Sequence, residues 1–204
     1  GVPAPAIRWV KPREAWWLNR RFQQPHALLP DFYCGMAIQF EVMAQATSVQ
    51  DLFARLEAQG FFVRIDPGVT PTMFRGALIS EAELGLLRQI QDVVRLGYVR
   101  RIERDQIVLD AGCVPTSEAT VHVHCASRGL QRRPLRPIFE PGRVTIQPFL
   151  WSFACYQFAM LGVVEATVAS DAEKNRLCPP IAYWDADTDY LSAFLAGLVN
   201  QRAQ

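Results

Sequence analysis

Two stretches of this chain are too apolar to lie on a surface, and they limit what the rest can be. One is "DFYCGMAIQFEVMAQA", Asp31 to Ala46; the other is "FLWSFACYQFAMLGVV", Phe149 to Val164. Each is long enough for a helix that is apolar on most sides, and such helices are buried. The first points to burial in a larger assembly. The second holds Ser152 and Gln157 and falls short of the roughly 18–20 apolar residues a membrane span needs. It reads as a core helix, with no membrane span expected. The chain has 204 residues, half of them hydrophobic, which suffices for a substantial core in one large domain or parts of two.

Charge and cysteine usage narrow the class. A net charge of +1 supplies no global field for nucleic acid, which is not expected as a partner. Cys34, Cys113, Cys125, Cys155 and Cys178 are scattered, odd in number and form no CxxC pair. They read as reduced, buried thiols of a cytoplasmic protein. Residues 1–20 lack the basic start, apolar core and cleavage site of a signal peptide.

The periodicity predicts an α/β chain. Residues 6–10 read as a strand, and Glu14 to Arg21 as a short helix carrying Trp16 and Trp17. Ser48 caps a helix with Leu52, Phe53 and Leu56 on one face, and Gly60 ends it. A short strand follows at 61–65, then a loop over 66–80, rich in Pro, Gly and Thr. Ser80 and Glu83 have capping-box spacing for a helix with Leu84, Leu87 and Ile90. Residues 92–112 alternate apolar and polar and predict a three-stranded β-meander, with Val99, Ile102, Ile107 and Leu109 inward. Strands are expected at 119–127 and 143–147, a long helix from Pro148, and an amphipathic helix from Asp189 to Val199.

Three segments could carry chemistry. Trp9-Val10-Lys11-Pro12-Arg13 is a strand running into cations. In a nucleotide-binding βαβ unit an arginine at such a strand end can grip a ribose 2′-phosphate, although a solvated surface strand end has the same appearance. His122, His124 and Cys125 suggest zinc, but His26 is the only other histidine, so no metal is expected. Small residues and Gly129 after that strand suit a backbone packed against a ligand. Pro141 to Phe149 reads as strand, short junction and helix start, where free amides suit anionic or carbonyl groups. Asp185, Asp187 and Asp189 read as a solvated turn or cap. The chain contains no GxGxxG, GxxxxGK[ST] or GxSxG. It offers no self-sufficient catalytic constellation, so no catalytic residue is assigned.

Taken in order, "WVKPREAWWLNR", "IDPGVTPTMFR", "SEAELGLLRQIQDVVRLGYVRRIERDQIVLDAG", "VHVHCASRGL" and "PIFEPGRVTIQPF" resemble one family. It is the bacterial FAD- and NAD(P)-dependent oxidoreductases with two dinucleotide-binding domains, distantly similar to flavin-containing monooxygenases and pyridine nucleotide-disulfide reductases. The resemblance covers essentially the whole chain and matches the C-terminal part of such enzymes. It implies an incomplete two-dinucleotide-binding-domain flavoprotein fold with a helical insertion and the meander. Residues 1–91 would be the remainder of the NAD(P)-binding domain, 92–112 the meander, and 113–204 the end of the FAD-binding domain with closing helices.

The resemblance also implies that Gly1-Val2-Pro3 ends a phosphate-binding helix, so that the partner is a missing N-terminal part of the same protein. Arg13 and Lys11 would meet the 2′-phosphate of NADP, or stand beside NAD. Ser127 and Gly129 would lie by FAD, where related monooxygenases have Ala-Thr-Gly and this chain has one residue more. Gln147 and Phe149 would lie near the flavin. The intact protein would pass hydride from NAD(P)H to FAD, whereas this chain, lacking both glycine fingerprints and a CxxC, would be inactive alone. The alternatives are a non-catalytic dinucleotide-binding or protein-interaction domain and, further off, a helical binding module built on residues 31–46.

Overall fold

Trp16 and Trp17, expected on a helix, stand in the middle strand of a sheet. The structure is a computed structural model, and it describes residues 1–24, 26–126, 133–151 and 154–202. It divides into Gly1–Ala126 and Ser127–Gln204. In chain order the first unit holds β1 (Arg8–Val10), β2 (Ala15–Asn19), α1 (Leu29–Gln45), α2 (Val49–Ala58), β3 (Phe62–Val63), β4 (Met73–Ile79), α3 (Glu81–Leu87), β5 (Asp92–Val94), β6 (Val99–Ile102), β7 (Gln106–Leu109) and β8 (Gly112–Pro115). The second holds β9 (Phe139–Glu140), β10 (Arg143–Val144), α4 (Ala154–Thr167), α5 (Asp171–Leu177) and α6 (Asp189–Arg202). The molecule is thus mixed α/β.

β2 lies between β3, antiparallel to it, and β4, parallel to it. Both faces are covered, which is why the sequence there is apolar without clear alternation. On one face Trp16 packs on Phe53 at 5.1 Å, Phe53 stacks on Phe62 at 4.8 Å, and Phe62 meets Phe74 edge-on at 5.4 Å. On the other, Trp17 and Trp9 pack against Ile65, Ile79 and Leu84. Tryptophan suits such a pleated, packed surface better than a helix. β4 falls within the segment expected to be a loop. Between Phe74 and Leu78 it advances four residues while β2 advances two, from Trp16 to Leu18. The excess bulges around Gly76, whose φ of 69° explains the glycine that had suggested a loop.

The helix signals are realised. The Ser48 hydroxyl accepts the Asp51 amide, Leu52, Phe53 and Leu56 are buried, and Gly60 follows with φ 69°. At α3 the Ser80 hydroxyl accepts the Glu83 amide, and the Glu83 carboxylate accepts the Ser80 amide at 2.8 Å. The Ser80 amide, the Ser80 hydroxyl and Arg20 together hold the Glu83 carboxyl down at about 2. Helix α1 leaves much of its apolar surface uncovered by the described residues. It buries only Gly35, Gln39 and Val42, leaving Tyr33 62% and Phe40 46% exposed.

The meander is three-stranded but shifted. β5 pairs with β1, and the meander is β6-β7-β8, over Val99–Pro115. Ile107 and Leu109 are buried, whereas Val99 and Ile102 are about half exposed, because only the central strand β7 is covered.

In the second unit, Ile138, Phe139, Phe149, Leu150, Leu161, Val164 and Cys178 form the core. Burial pushes the Cys178 thiol up to about 11, and it serves as a small hydrophobe. The other four cysteines are exposed, contrary to the expectation of buried thiols, because they lie on α1, β8, the 119–126 segment and the outer side of α4. The strand expected at 143–147 shrinks to the two residues of β10, paired with β9 across the Gly142 turn. The long apolar helix expected from Pro148 is described from Ala154, and residues 148–150 are not helical, with Phe149 and Leu150 buried. The closing helix α6 buries Tyr190 and Phe194 as its pattern requires.

Candidate functional site

The site worth building is the carboxyl end of the parallel pair β1 and β5. Arg8, Trp9 and Val10 stand opposite Asp92, Val93 and Val94. The Arg8 guanidinium holds Asp92 at 2.8 Å and reaches the Pro115 carbonyl at 2.8 Å, fixing the amino end of the pair. At the other end the Lys11 amide donates to the Val94 carbonyl at 2.9 Å, carrying the ladder one residue past β1. Residues 11–14 and 95–97 therefore emerge side by side. In open parallel sheets, ligands bind beyond this end of the strands.

The charges there form a chain. Glu14, whose side chain is 6% exposed, accepts the Lys11 ammonium on one oxygen and Arg95 at 3.0 Å on the other. Arg95 continues to Asp66 at 2.7 Å, and Asp66 turns its own loop by accepting the Gly68 amide at 2.9 Å. The Lys11 ammonium also lies 4.6 Å from the centre of the Trp9 ring. Beyond Arg95, Gly97 takes φ 82°, and a Cβ there would lie 2.5 Å from the Asp110 carboxylate. Only glycine fits both the turn and that approach.

The structure brings some of the sequence-predicted residues together and separates others. Arg13 and Lys11 both lie at this end. Arg13 is half-buried, with its guanidinium 3.3 Å from the Thr72 carbonyl. Lys11 is buried and engaged with Glu14 rather than projecting as a second phosphate reader. Ser127 and Gly129 lie outside the described residues.

Gln147 and Phe149 serve the second unit internally. Gln147 exchanges hydrogen bonds with the Arg136 backbone at 2.7 and 3.2 Å. Phe149 is fully buried, its amide donates to Gln157 at 3.1 Å and its carbonyl accepts from Asn200 at 2.7 Å. Neither presents itself to a flavin within this unit.

The remaining candidates behave as solvated groups. Residues 121–126 form no strand and are exposed, and the His122 ring is hydrogen-bonded to the Thr116 hydroxyl at 2.9 Å. Among the described residues, no three His, Cys, Asp or Glu side chains gather as metal ligands. Asp189 accepts the Asp185 and Ala186 amides at 3.0 and 3.1 Å, as a cap at the start of α6. Among the described residues no helix is long and apolar enough to cross a membrane. Glu14 and Arg95 are the residues that sequence reasoning missed. Glu14 stands three positions from Lys11, a visible pairing, but Arg95 is 81 residues away and nothing local announces it.

The chain is similar to an uncharacterized protein of Mycobacterium bovis and to uncharacterized proteins of two Mycobacterium tuberculosis strains. It is 37% identical to each over 195 residues, covering 95% of this chain and 36% of the relative. It thus spans about a third of the length of these curated relatives. No family model matches it, and no solved structure matches it.

Proposed function

We propose that this chain is the C-terminal part of an oxidoreductase that passes hydride from NAD(P)H to FAD, with the carboxyl end of β1 and β5 on the nicotinamide nucleotide. The observation that carries this reading is the parallel pair together with the charged residues at its carboxyl end. Two adjacent parallel strands, with α3 directly before the second, end in loops that hold Arg13 near an ion-paired network of Lys11, Glu14, Arg95 and Asp66. That is the local arrangement by which nucleotide-binding sheets take a ribose phosphate. The guanidinium of Arg13 suits a 2′-phosphate, which it can grip with two parallel hydrogen bonds.

FAD fits this chain less well. Gln147 and Phe149 are engaged within their own unit, so a flavin would rest on other residues. FAD would supply the redox chemistry, and the residues described here would bind and orient the other nucleotide. The greater length of the mycobacterial relatives is compatible with that division.

The test is made on the complete polypeptide that contains this sequence. The reading expects a yellow protein, bleached on adding NADPH without oxygen, with two glycine fingerprints before the present residue 1. A colourless protein without those fingerprints refutes it.

A second reading, a protein-interaction domain, is favoured by α1. Leu29, Tyr33 and Phe40 recur on one helical face and are 42%, 62% and 46% exposed. If this reading holds, Tyr33→Glu with Phe40→Glu abolishes a specific association and leaves nucleotide binding unchanged.

A further inference from the structure

Of the 21 basic residues in this chain only two are lysines, Lys11 and Lys174, and both are buried. A lysine normally leaves its ammonium in water. Lys174 is explained within its unit: it joins Glu165 at 2.7 Å and Asp171 at 3.4 Å, tying α4 to α5. Lys11 lies instead at the carboxyl end of the parallel pair, where an anionic ligand would approach. There it is turned onto Glu14, whose other oxygen takes Arg95.

We infer that Glu14 sets the nucleotide specificity of this end by withholding Lys11, and in part Arg95, from a 2′-phosphate. The inference rests on the nucleotide reading above. A phosphate at these strand ends would have Arg13 and Lys11 within the same short segment. To reach Lys11 it must separate an ion pair whose side chains are only 7% and 6% exposed, and leave the Glu14 carboxylate without one of its two cations. Arg95 is 35% exposed but is shared between Glu14 and Asp66, so its charge is already committed twice. Removing the negative charge at position 14 reverses the balance. Two cations then lack their central anion, and a phosphate group can supply it.

The experiment uses the complete polypeptide as wild type, Glu14→Gln, and Lys11→Met with Glu14→Gln. Calorimetry compares adenosine 2′,5′-bisphosphate with adenosine 5′-monophosphate. Amine acylation read by mass spectrometry reports the two lysines separately. Wild type is expected to favour the bisphosphate, with both lysines protected. E14Q is expected to widen that preference by roughly tenfold, the effect of one more charge-assisted contact. It also exposes Lys11 to acylation while Lys174 stays protected. The double variant returns to the wild-type preference. If wild type discriminates but E14Q leaves both the preference and Lys11 protection unchanged, the Glu14 inference is overturned and the nucleotide reading stands. If wild type binds neither compound, both fall. Should E14Q lose the fold of the first unit, shown by loss of amide-exchange protection in β2 and β4, Glu14→Asp replaces it. This shorter carboxylate cannot span both cations, so Lys11 exposure and a wider preference are again expected, and their absence overturns the inference.

Discussion

The first unit contains two parallel strand pairs that finish in opposite ways. β2 and β4 end in groups that cap the chain's own backbone. The Asn19 side chain accepts the Arg21 amide and donates to the Gly60 carbonyl, and Ser80 follows Ile79 to cap α3. β1 and β5 end instead in Lys11, Glu14 and Arg95, linked by charge rather than by caps, with Arg13 on the Thr72 carbonyl. The strands differ in the same sense. Trp16, Leu18, Phe74 and Ile79 are buried, whereas β1 and β5 are half-buried or exposed along their length. The contrast teaches that parallel pairing alone does not mark a ligand edge. One pair closes on itself as scaffold, and the other ends in an ion-paired cluster of charged side chains.

The largest test of this contrast falls on the scaffold. Phe62→Ala removes a ring that stacks on Phe53 and meets Trp16 and Phe74. It is expected to cost about 3–5 kcal/mol in denaturant unfolding. A loss under 1 kcal/mol would mean that the aromatic cluster does not hold β2 and β4. Next comes the ligand edge. Arg13→Ala is expected to lower the preference for NADPH over NADH by roughly ten- to a hundredfold in the complete polypeptide, with melting temperature nearly unchanged. An unchanged preference would leave β1 and β5 as no more than a second scaffold.

Smaller effects sharpen the same line. Ser80→Ala is expected to cost about 1 kcal/mol by removing the cap that closes β4. Its partner Glu83 gives the pH dependence. The folded carboxyl lies at about 2, below its ordinary value, so its stabilisation is complete above the ordinary carboxylate range and is lost as pH falls through about 2. The stability difference between wild type and Glu83→Gln should therefore shrink on acidification. A difference that is constant from neutral pH to about 2 would contradict the capping account. Smallest of all, Ile102→Ser on the exposed strand β6 should shift stability by no more than about 0.5 kcal/mol.

What could be read in the sequence is what depends on neighbours in the chain. The Ser48 and Ser80 caps, the Gly60 stop, the buried face of α2 and the helix from Asp189 rest on local hydrogen bonds and a 3.6-residue period. What could not be read depends on partners far away. Trp16 and Trp17 become strand because β3 and β4 flank them, and an apolar run covered on both faces has no period to show. Residues 121–126 alternate like a strand but find no strand partner within the described residues, so the pattern remains unpaired. At the site, the cations after Val10 were visible, and their placement at a strand end is as expected. The burial of Lys11 was not visible, because it needs Glu14 to be held from the other side by Arg95.

The central claim is that a nucleotide binds at the carboxyl ends of β1 and β5. Amide hydrogen exchange of the complete polypeptide, with and without NADP, tests it most directly. The account predicts that added protection within this chain concentrates in residues 11–14 and 95–97, and that the carboxyl ends of β2 and β4 stay unchanged. Protection that appears elsewhere and spares both segments, or no change at saturating nucleotide, would contradict it.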